Sequence, residues 1–264
     1  MWPWQLVVIG IHGQFGAREN IPHPLTDTSQ CEGIIYINPK AFKKRGVNAK
    51  MQASKLDCRQ TKHIYSPVRP DFGQFACTTG HIMALQWLAT SSLAYAIIME
   101  DDVQFALDDN KLADFVSAKS MLPRLKHHPV IKLYWDNQQE GGNKVLRGNQ
   151  IFNDVCHANG AMTSSIAYVV RRSYATFLFR YMQYAMPNSV ANYNDKRFPQ
   201  WMFENDSMVS HLQIIHGHGA WCPVDGHAVS YVQRGPLSAH STNTISTARA
   251  NITGDVQYTT DDLT

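Results

Sequence analysis

Three carboxylates stand in a row at Glu100, Asp101 and Asp102, closing the apolar run Ala94-Tyr-Ala-Ile-Ile-Met99. A run that short and apolar, ended by charge, reads as a buried strand whose C-terminal end opens into a polar crevice. Open α/β sheets bind ligands just outside the carboxyl ends of their strands. Adjacent acids repel one another and gain from meeting only if a cation sits between them. Hard divalent cations take oxygen ligands, and one carrying a phosphate group is the commonest reason for the pattern. The plainer alternative is an acidic turn after a strand.

A second group of residues with chemical potential is His211, His216 and His218. His216-Gly-His218 has the i, i+2 spacing of a strand and suits a metal-ligand pair. Histidines around a helix end also serve as ordinary dipole partners. The cluster keeps open a zinc-dependent metallohydrolase using nearby acids. Tyr134, Trp135 and Trp201 are aromatic and candidates for stacking on a ligand or for the core. Cys77 is expected to be a small buried residue, not a nucleophile.

The elements that must position these residues alternate in type. Gln5–Ile11 reads as a first strand, followed by the glycine-containing loop His12–Arg18. The loop is neither a GxGxxG nor a P-loop pattern. In a nucleotide-binding domain it would lie under the base or ribose, with Arg18 meeting a phosphate or the base; otherwise it is a plain strand exit. Gly33–Asn38 is a second strand, and Pro39 fits the first position of a basic helix reaching Lys50. Residues 51–75 carry no clear pattern. Thr78 and Thr79 are expected to cap a helix from Gly80 to Ala89, which leads into the acid-tipped strand Tyr95–Met99.

Asp108 or Asp109 caps a helix over Lys111–Arg124, with Leu112, Phe115, Val116 and Leu122 on its apolar face. Pro129–Trp135 is a strand, Asp136–Asn149 a polar loop suited to a lid or acceptor flap, and Ser165–Val170 a further strand. Ser173 caps Tyr174–Met186, and Pro187–Pro199 is loop. Glu204–Ile215 reads as a helix with Asn205 as cap and Asp206 in its first turn, near the positive dipole end. Val229–Gln233 is a late strand. Beyond about residue 241 the chain is rich in Ser, Thr and Asn, and a loose tail over 241–264 is expected. Alternating strands and helices predict an α/β domain with a mainly parallel sheet over residues 1–240.

Composition narrows the class. A chain of 264 residues with 44% hydrophobic and 17% charged residues suits a globular enzyme. The net charge of +3 comes without a long basic tract. Lys43-Lys44-Arg45 and Arg171-Arg172 are short clusters, solvated or phosphate-facing, and no nucleic-acid footprint is expected. The five cysteines form no CxxC pair, so neither a disulfide framework nor a thiolate zinc site is expected, and a reducing compartment is the default. No apolar stretch is long enough to cross a bilayer, and the N-terminus lacks the features of a signal peptide. These observations favour the cytosol or a peripheral place at a membrane. The secretory pathway stays open for a chain trimmed of an anchor, where the sequons at Asn205 and Asn251 would matter.

Several segments in order resemble one family. Cys77-Thr-Thr-Gly-His81, a helix, and then Ile97-Ile-Met-Glu-Asp-Asp-Val103 resemble the signature of the family 25 glycosyltransferases, the lipooligosaccharide and collagen galactosyltransferase relatives. In that family a Cys-x-x-Ser-His element precedes Leu-Glu-Asp-Asp-Val by one helix. Ser164-Ser-Ile-Ala-Tyr-Val-Val-Arg-Arg172 resembles its Ala-Tyr strand leading into a helix. Glu204-Asn-Asp206 stands where the family has Pro-Val-Asp, and Pro223 with Val232-Gln-Arg-Gly-Pro-Leu-Ser238 resembles its closing pattern. The match runs from about residue 70 to 240. Gly80 replaces the family's Ser, Asn205 its Val, and Ala239-His240 its Asp-Ile, while the first 70 residues match poorly.

The resemblance implies a GT-A-like (Rossmann-like) single domain with a mixed, mainly parallel central sheet. It implies inverting transfer of a sugar, galactose by family habit, from a nucleotide-diphosphate sugar to a glycan or glycoconjugate acceptor. A UDP-sugar is the favoured donor and Mn²⁺ or Mg²⁺ the metal. Asp102 is then the expected metal ligand with Asp101 beside it, and Glu100 or Asp101 would hold the donor's ribose. Asp206 is the expected base that deprotonates the acceptor hydroxyl, with Glu204 as second choice. Arg18 and His81 would serve the donor, His81 by orienting a carboxylate or touching the sugar. A third reading is a non-catalytic GT-A-like carbohydrate-binding protein. Oligomeric state is not indicated.

Overall fold

The computed structural model describes residues 27–67, 73–105, 109–133 and 165–185, together with the short strands at 150–152, 155–157, 219–221 and 232–234. Strand β1 (Cys31–Pro39) is buried along all but its last residue. Its successive side chains point to opposite faces, so a strand buried along its length must be covered on both sides. Ile34 and Tyr36 enter one core, and Ile35 and Ile37 enter the other. Pro39 ends this strand; it does not head the helix as expected. Its carbonyl accepts the Phe42 amide at 2.9 Å in a turn, and helix α1 (Lys43–Ser54) starts after Phe42.

Strand β2 (Cys58–Ser66) lies in the stretch without a clear pattern and pairs parallel to β1. It is a half-exposed, polar edge strand, which is why no apolar run marked it. Helix α2 (Gly73–Thr90) begins well before Thr78 and Thr79, so both threonines lie inside it and neither is a cap. Strand β3 (Tyr95–Glu100) carries the acidic end, and β4 (Val103–Phe105) follows after a turn. The single helix expected over 111–124 is two helices, α3 (Asp109–Val116) and α4 (Ala118–His127). Ser117 breaks them: its ψ is 151°, and its Oγ accepts the Ser120 amide as the cap of α4.

Strands β5 (Val130–Lys132), β6 (Gln150–Phe152), β7 (Val155–His157) and β8 (Ala167–Arg171) come next. Helix α5 (Arg172–Ala185) starts directly after β8, so Ser173 is helical and not a cap. The last strands are β9 (Gly219–Trp221) and β10 (Val232–Arg234).

One sheet of eight strands has the order β2-β1-β3-β8-β5-β9-β7-β6. β8 opposes β3 and β5, and β7 opposes β9 and β6, so the other six strands run in one direction. The chain is therefore a mixed, mainly parallel α/β domain. Helices α1, α3 and α4 line one face of the sheet, and α2 and α5 line the other. Arg172, read as solvated or phosphate-facing, donates from Nη1 to the Ser91 carbonyl (3.0 Å) just past the end of α2. No helix among the described residues is long and apolar enough to cross a membrane.

The expectation of no disulfide is overturned: Cys31 and Cys58 are bonded, as register partners on β1 and β2. Spacing could not reveal this, because strand pairing closes a separation of 27 residues. By loop-closure entropy such a crosslink contributes about 3.5 kcal/mol. Cys58→Ser is expected to shift urea unfolding by about that amount. Dithiothreitol should lower the midpoint of the wild type and leave the variant unchanged.

The first strand Gln5–Ile11, the loop to Arg18, the loops 136–149 and 187–199, the helix 204–215 and the tail 241–264 lie outside the described residues.

Candidate active site at the acidic end of the third strand

The order of strands reverses at the boundary between β1 and β3: the chain leaves β1 for β2 and returns to β3 on the other side. Such a reversal opens a crevice at the carboxyl ends of parallel strands. Glu100, Asp101 and Asp102 stand at that end. Ile37 is the register partner of Glu100, which brings Asn38 level with Asp101. Asn38 Nδ2 donates to Asp101 Oδ2 at 2.7 Å and also to the Phe42 carbonyl at 3.1 Å.

One face of α1 fixes the turn. Arg45, Asn48 and Gln52 are spaced three and four residues apart and so share a side of the helix. Arg45 Nη2 pairs with Asp101 Oδ1 at 2.5 Å. Asn48 Nδ2 donates to the carbonyls of Asp101 and Val103, each at 3.3 Å. Gln52 Oε1 accepts the Phe105 amide at 3.0 Å. Arg45, expected to face solvent or a phosphate, is thus spent on Asp101. Both oxygens of Asp101 are engaged from within the protein. Burial pushes its carboxyl up to about 7, against the pull of Arg45 and Asn38, and the neighbouring acids add to the rise. Asp102 follows at once and is buried as well, with 3% of its surface exposed.

Glu100 is held from the opposite face. Its amide donates to the Ile166 carbonyl at 2.8 Å. Its Oε1 accepts from His81 Nε2 at 3.2 Å and from Cys77 Sγ at 3.6 Å. Tyr168 on β8 contacts His81 Nδ1 through its hydroxyl at 3.0 Å, with the two rings stacked. His81 is fully enclosed and meets Glu100 at the floor of the crevice. Cys77, expected to be buried, is half-buried. Cys77, His81 and Glu100 offer ligand atoms that all lie within 4.8 Å of one another, a group able to hold a metal ion.

Three of the segments that carry the resemblance have described residues that meet here: 77–81 on α2, 97–103 on β3 and β4, and 165–172 on β8 and the start of α5. A fourth arrives by backbone pairing, since β10 pairs antiparallel with β4, Arg234 opposite Val103.

Gly80 has a packing reason. A Cβ there would lie 2.6 Å from Ile37 Cγ2 and 2.9 Å from Ser66 Cβ. The helix therefore sits too close to β1 and β2 for the serine that the family carries. Gly80→Ala gains about 1 kcal/mol of helix propensity but overpacks the contact at a cost of about 1–3 kcal/mol. A net loss of stability is expected in urea denaturation, the reverse of the usual result for glycine in a helix. Gly46 is similarly close, with a Cβ position 2.7 Å from Asn38 Oδ1, so a side chain there would press on the amide that holds Asp101.

Of the residues singled out in the sequence, the structure gathers Cys77, His81, Glu100, Asp101 and Asp102. Arg18, Glu204 and Asp206 lie outside the described residues, as do His211, His216, His218, Tyr134, Trp135 and Trp201. Asn38, Asn48 and Gln52 were not anticipated, nor was the inward role of Arg45. The polar stripe at 45, 48 and 52 was the available signal, but a basic helix is usually a solvated one.

No protein-family model matches the sequence, and no curated protein matches it. Solved structures do resemble it in shape. The glycosyltransferase GlyE of Streptococcus pneumoniae TIGR4 aligns with a TM-score of 0.40 at 7% identity, over 74% of this chain and 46% of that one. Its apo form gives 0.41 at 8% identity, over 72% and 45%. The chain thus spans about half the length of GlyE. The mannose-1-phosphate geranyltransferase of Thermus thermophilus gives 0.42 at 8% identity, over 72% of this chain and 73% of that one. All three are named as transferases. The likeness is one of chain course, and no residue role passes through it.

Proposed function

We propose that this chain is a metal-dependent, inverting glycosyltransferase of GT-A-like fold that uses a nucleotide-diphosphate sugar, a UDP-sugar first, with a glycan as acceptor. The observation that supports it most is the locked acidic turn at the β1–β3 reversal. Asp101 is tied down by Arg45 and Asn38. The next acid in line, Asp102, is thereby presented from a fixed backbone.

The donor set fits the metal. Asp102 offers a hard carboxylate oxygen, as Mn²⁺ and Mg²⁺ require, while Asp101 is the buried anchor that sets its position. A divalent ion held there would offset the charge that builds on a diphosphate leaving group. Glu100, oriented by His81, takes the donor's ribose hydroxyls. Asp206 is proposed as the base that removes the proton from the acceptor hydroxyl, with Glu204 as its alternate; their place in the sequence pattern supports this.

The test is release of nucleoside diphosphate from a panel of nucleotide sugars with Mn²⁺ or Mg²⁺, with and without mixed glycan acceptors. Release from one donor class, raised by acceptor, is the expected result. No release from any donor with either metal would refute the reading. Asp206→Ala is expected to lower acceptor-stimulated turnover by roughly 10²–10⁴-fold while donor binding persists.

A further inference from the structure

We infer that Cys77, His81 and Glu100 form a second metal site, selective for a borderline-soft ion of the zinc class and distinct from the oxygen site at Asp102. Cys77 and His81 are four residues apart on α2 and share one side of the helix, the spacing by which helical residue pairs grip zinc. Glu100 meets both from the end of β3.

The geometry is close to what such an ion needs. Tetrahedral zinc, with Zn–S of ~2.3 Å and Zn–N or Zn–O of ~2.0–2.1 Å, sets N···O edges of about 3.3 Å and S···O edges of about 3.6 Å. The observed edges are 3.2 Å from His81 Nε2 and 3.6 Å from Cys77 Sγ, both to Glu100 Oε1. The third edge lies within 4.8 Å, against about 3.6 Å in an ideal tetrahedral site. Tyr168 supplies the outer partner that metal-bound histidines have, with its hydroxyl 3.0 Å from Nδ1. The proton count balances. Without metal, the Cys77 thiol and His81 Nε2–H donate to Glu100. With metal, the thiol proton leaves to solvent and the imidazole proton moves to Nδ1, where Tyr168 Oη accepts it. Cys77 and Glu100 are only partly buried, so an ion can enter and a water can complete the shell. A thiolate and an imidazole favour zinc over the manganese or magnesium suited to Asp102 alone.

The test uses the full chain stripped with chelator, then loaded with Zn²⁺ alone and passed through gel filtration. One zinc per chain is expected to depend on this site. Cys77→Ser and Glu100→Gln should each lose that equivalent, with affinity down at least about 100-fold, the upper end of losses seen for mere outer partners. Asp102→Ala should keep it, so the outcome is separate from that of the donor site. With Co²⁺ in place of zinc, the wild type should show a thiolate-to-cobalt charge-transfer band that Cys77→Ser lacks. Should Cys77→Ser fail to fold, Glu100→Gln decides. No retained zinc in the wild type, or equal zinc in wild type and folded variants, would overturn the inference.

Discussion

Asp102→Ala is expected to abolish metal-dependent nucleotide binding. Metal stabilisation of a phosphate-borne charge is worth several kcal/mol, so the loss should be on the order of 10²–10³-fold in affinity for the metal–nucleotide pair and at least as much in turnover. Asn38, Arg45 and Asn48 all reach Asp101 or the backbone beside it, so the turn keeps these ties in the variant. A folded variant that binds nucleotide with Mn²⁺ as tightly as wild type would remove Asp102 from the site.

Arg45→Met should instead damage the fold. It strips the partner from a carboxylate whose residue is 3% exposed. With the Asp101 carboxyl near 7 in the wild type, the variant neutralises it by taking up a proton, so the cost near pH 8 is about 1–2 kcal/mol, the lost ionisation plus the lost contact. The double variant Arg45→Met/Asp101→Asn removes both charges and should recover most of the loss. The pH dependence has a definite sign. Burial raises the Asp101 carboxyl to about 7 in the folded chain, above its ordinary value of 3.8. The native state then binds the extra proton between those values, so the stability tied to this group is complete below about 4 and is lost as pH rises to about 7. Without Arg45 the carboxyl rises further. The deficit of Arg45→Met should therefore be largest at pH 8 and shrink toward pH 5, where the acid is neutral. Urea titrations at the two pH values measure this, and a deficit that grows on acidification would contradict the buried pair.

How much of this was legible from the residues follows from how local each signal is. The acid-tipped strand was plain, because an apolar run closed by charge is a local pattern, and the structure extends it by one residue, to Glu100. Strands β1 and β8 and helix α5 were visible for the same reason. β2 was hidden because an edge strand such as Arg59-Gln-Thr-Lys62 has no need to be apolar. The break at Ser117 was masked by apolar residues that keep helical spacing across it. The site divides likewise. Glu100, Asp101, Asp102 and His81 announce themselves by type and by motif. Asn38 does not, since its role exists only once β1 pairs with β3. Arg45 sits in a run of three basic residues and looks solvated until α1 packs on the turn. The Cys31–Cys58 bond and the Tyr168–His81 contact are also products of strand and helix pairing. Composition carries no trace of them.

The measurement that bears most directly on the central claim is calorimetric binding of nucleoside diphosphates and nucleotide sugars to the wild type, with and without Mn²⁺, repeated on Asp102→Ala. The account predicts saturable binding of one nucleotide class, the uridine class first, that requires the metal and disappears in the variant. Absence of nucleotide binding by the folded wild type with either Mn²⁺ or Mg²⁺ would contradict it.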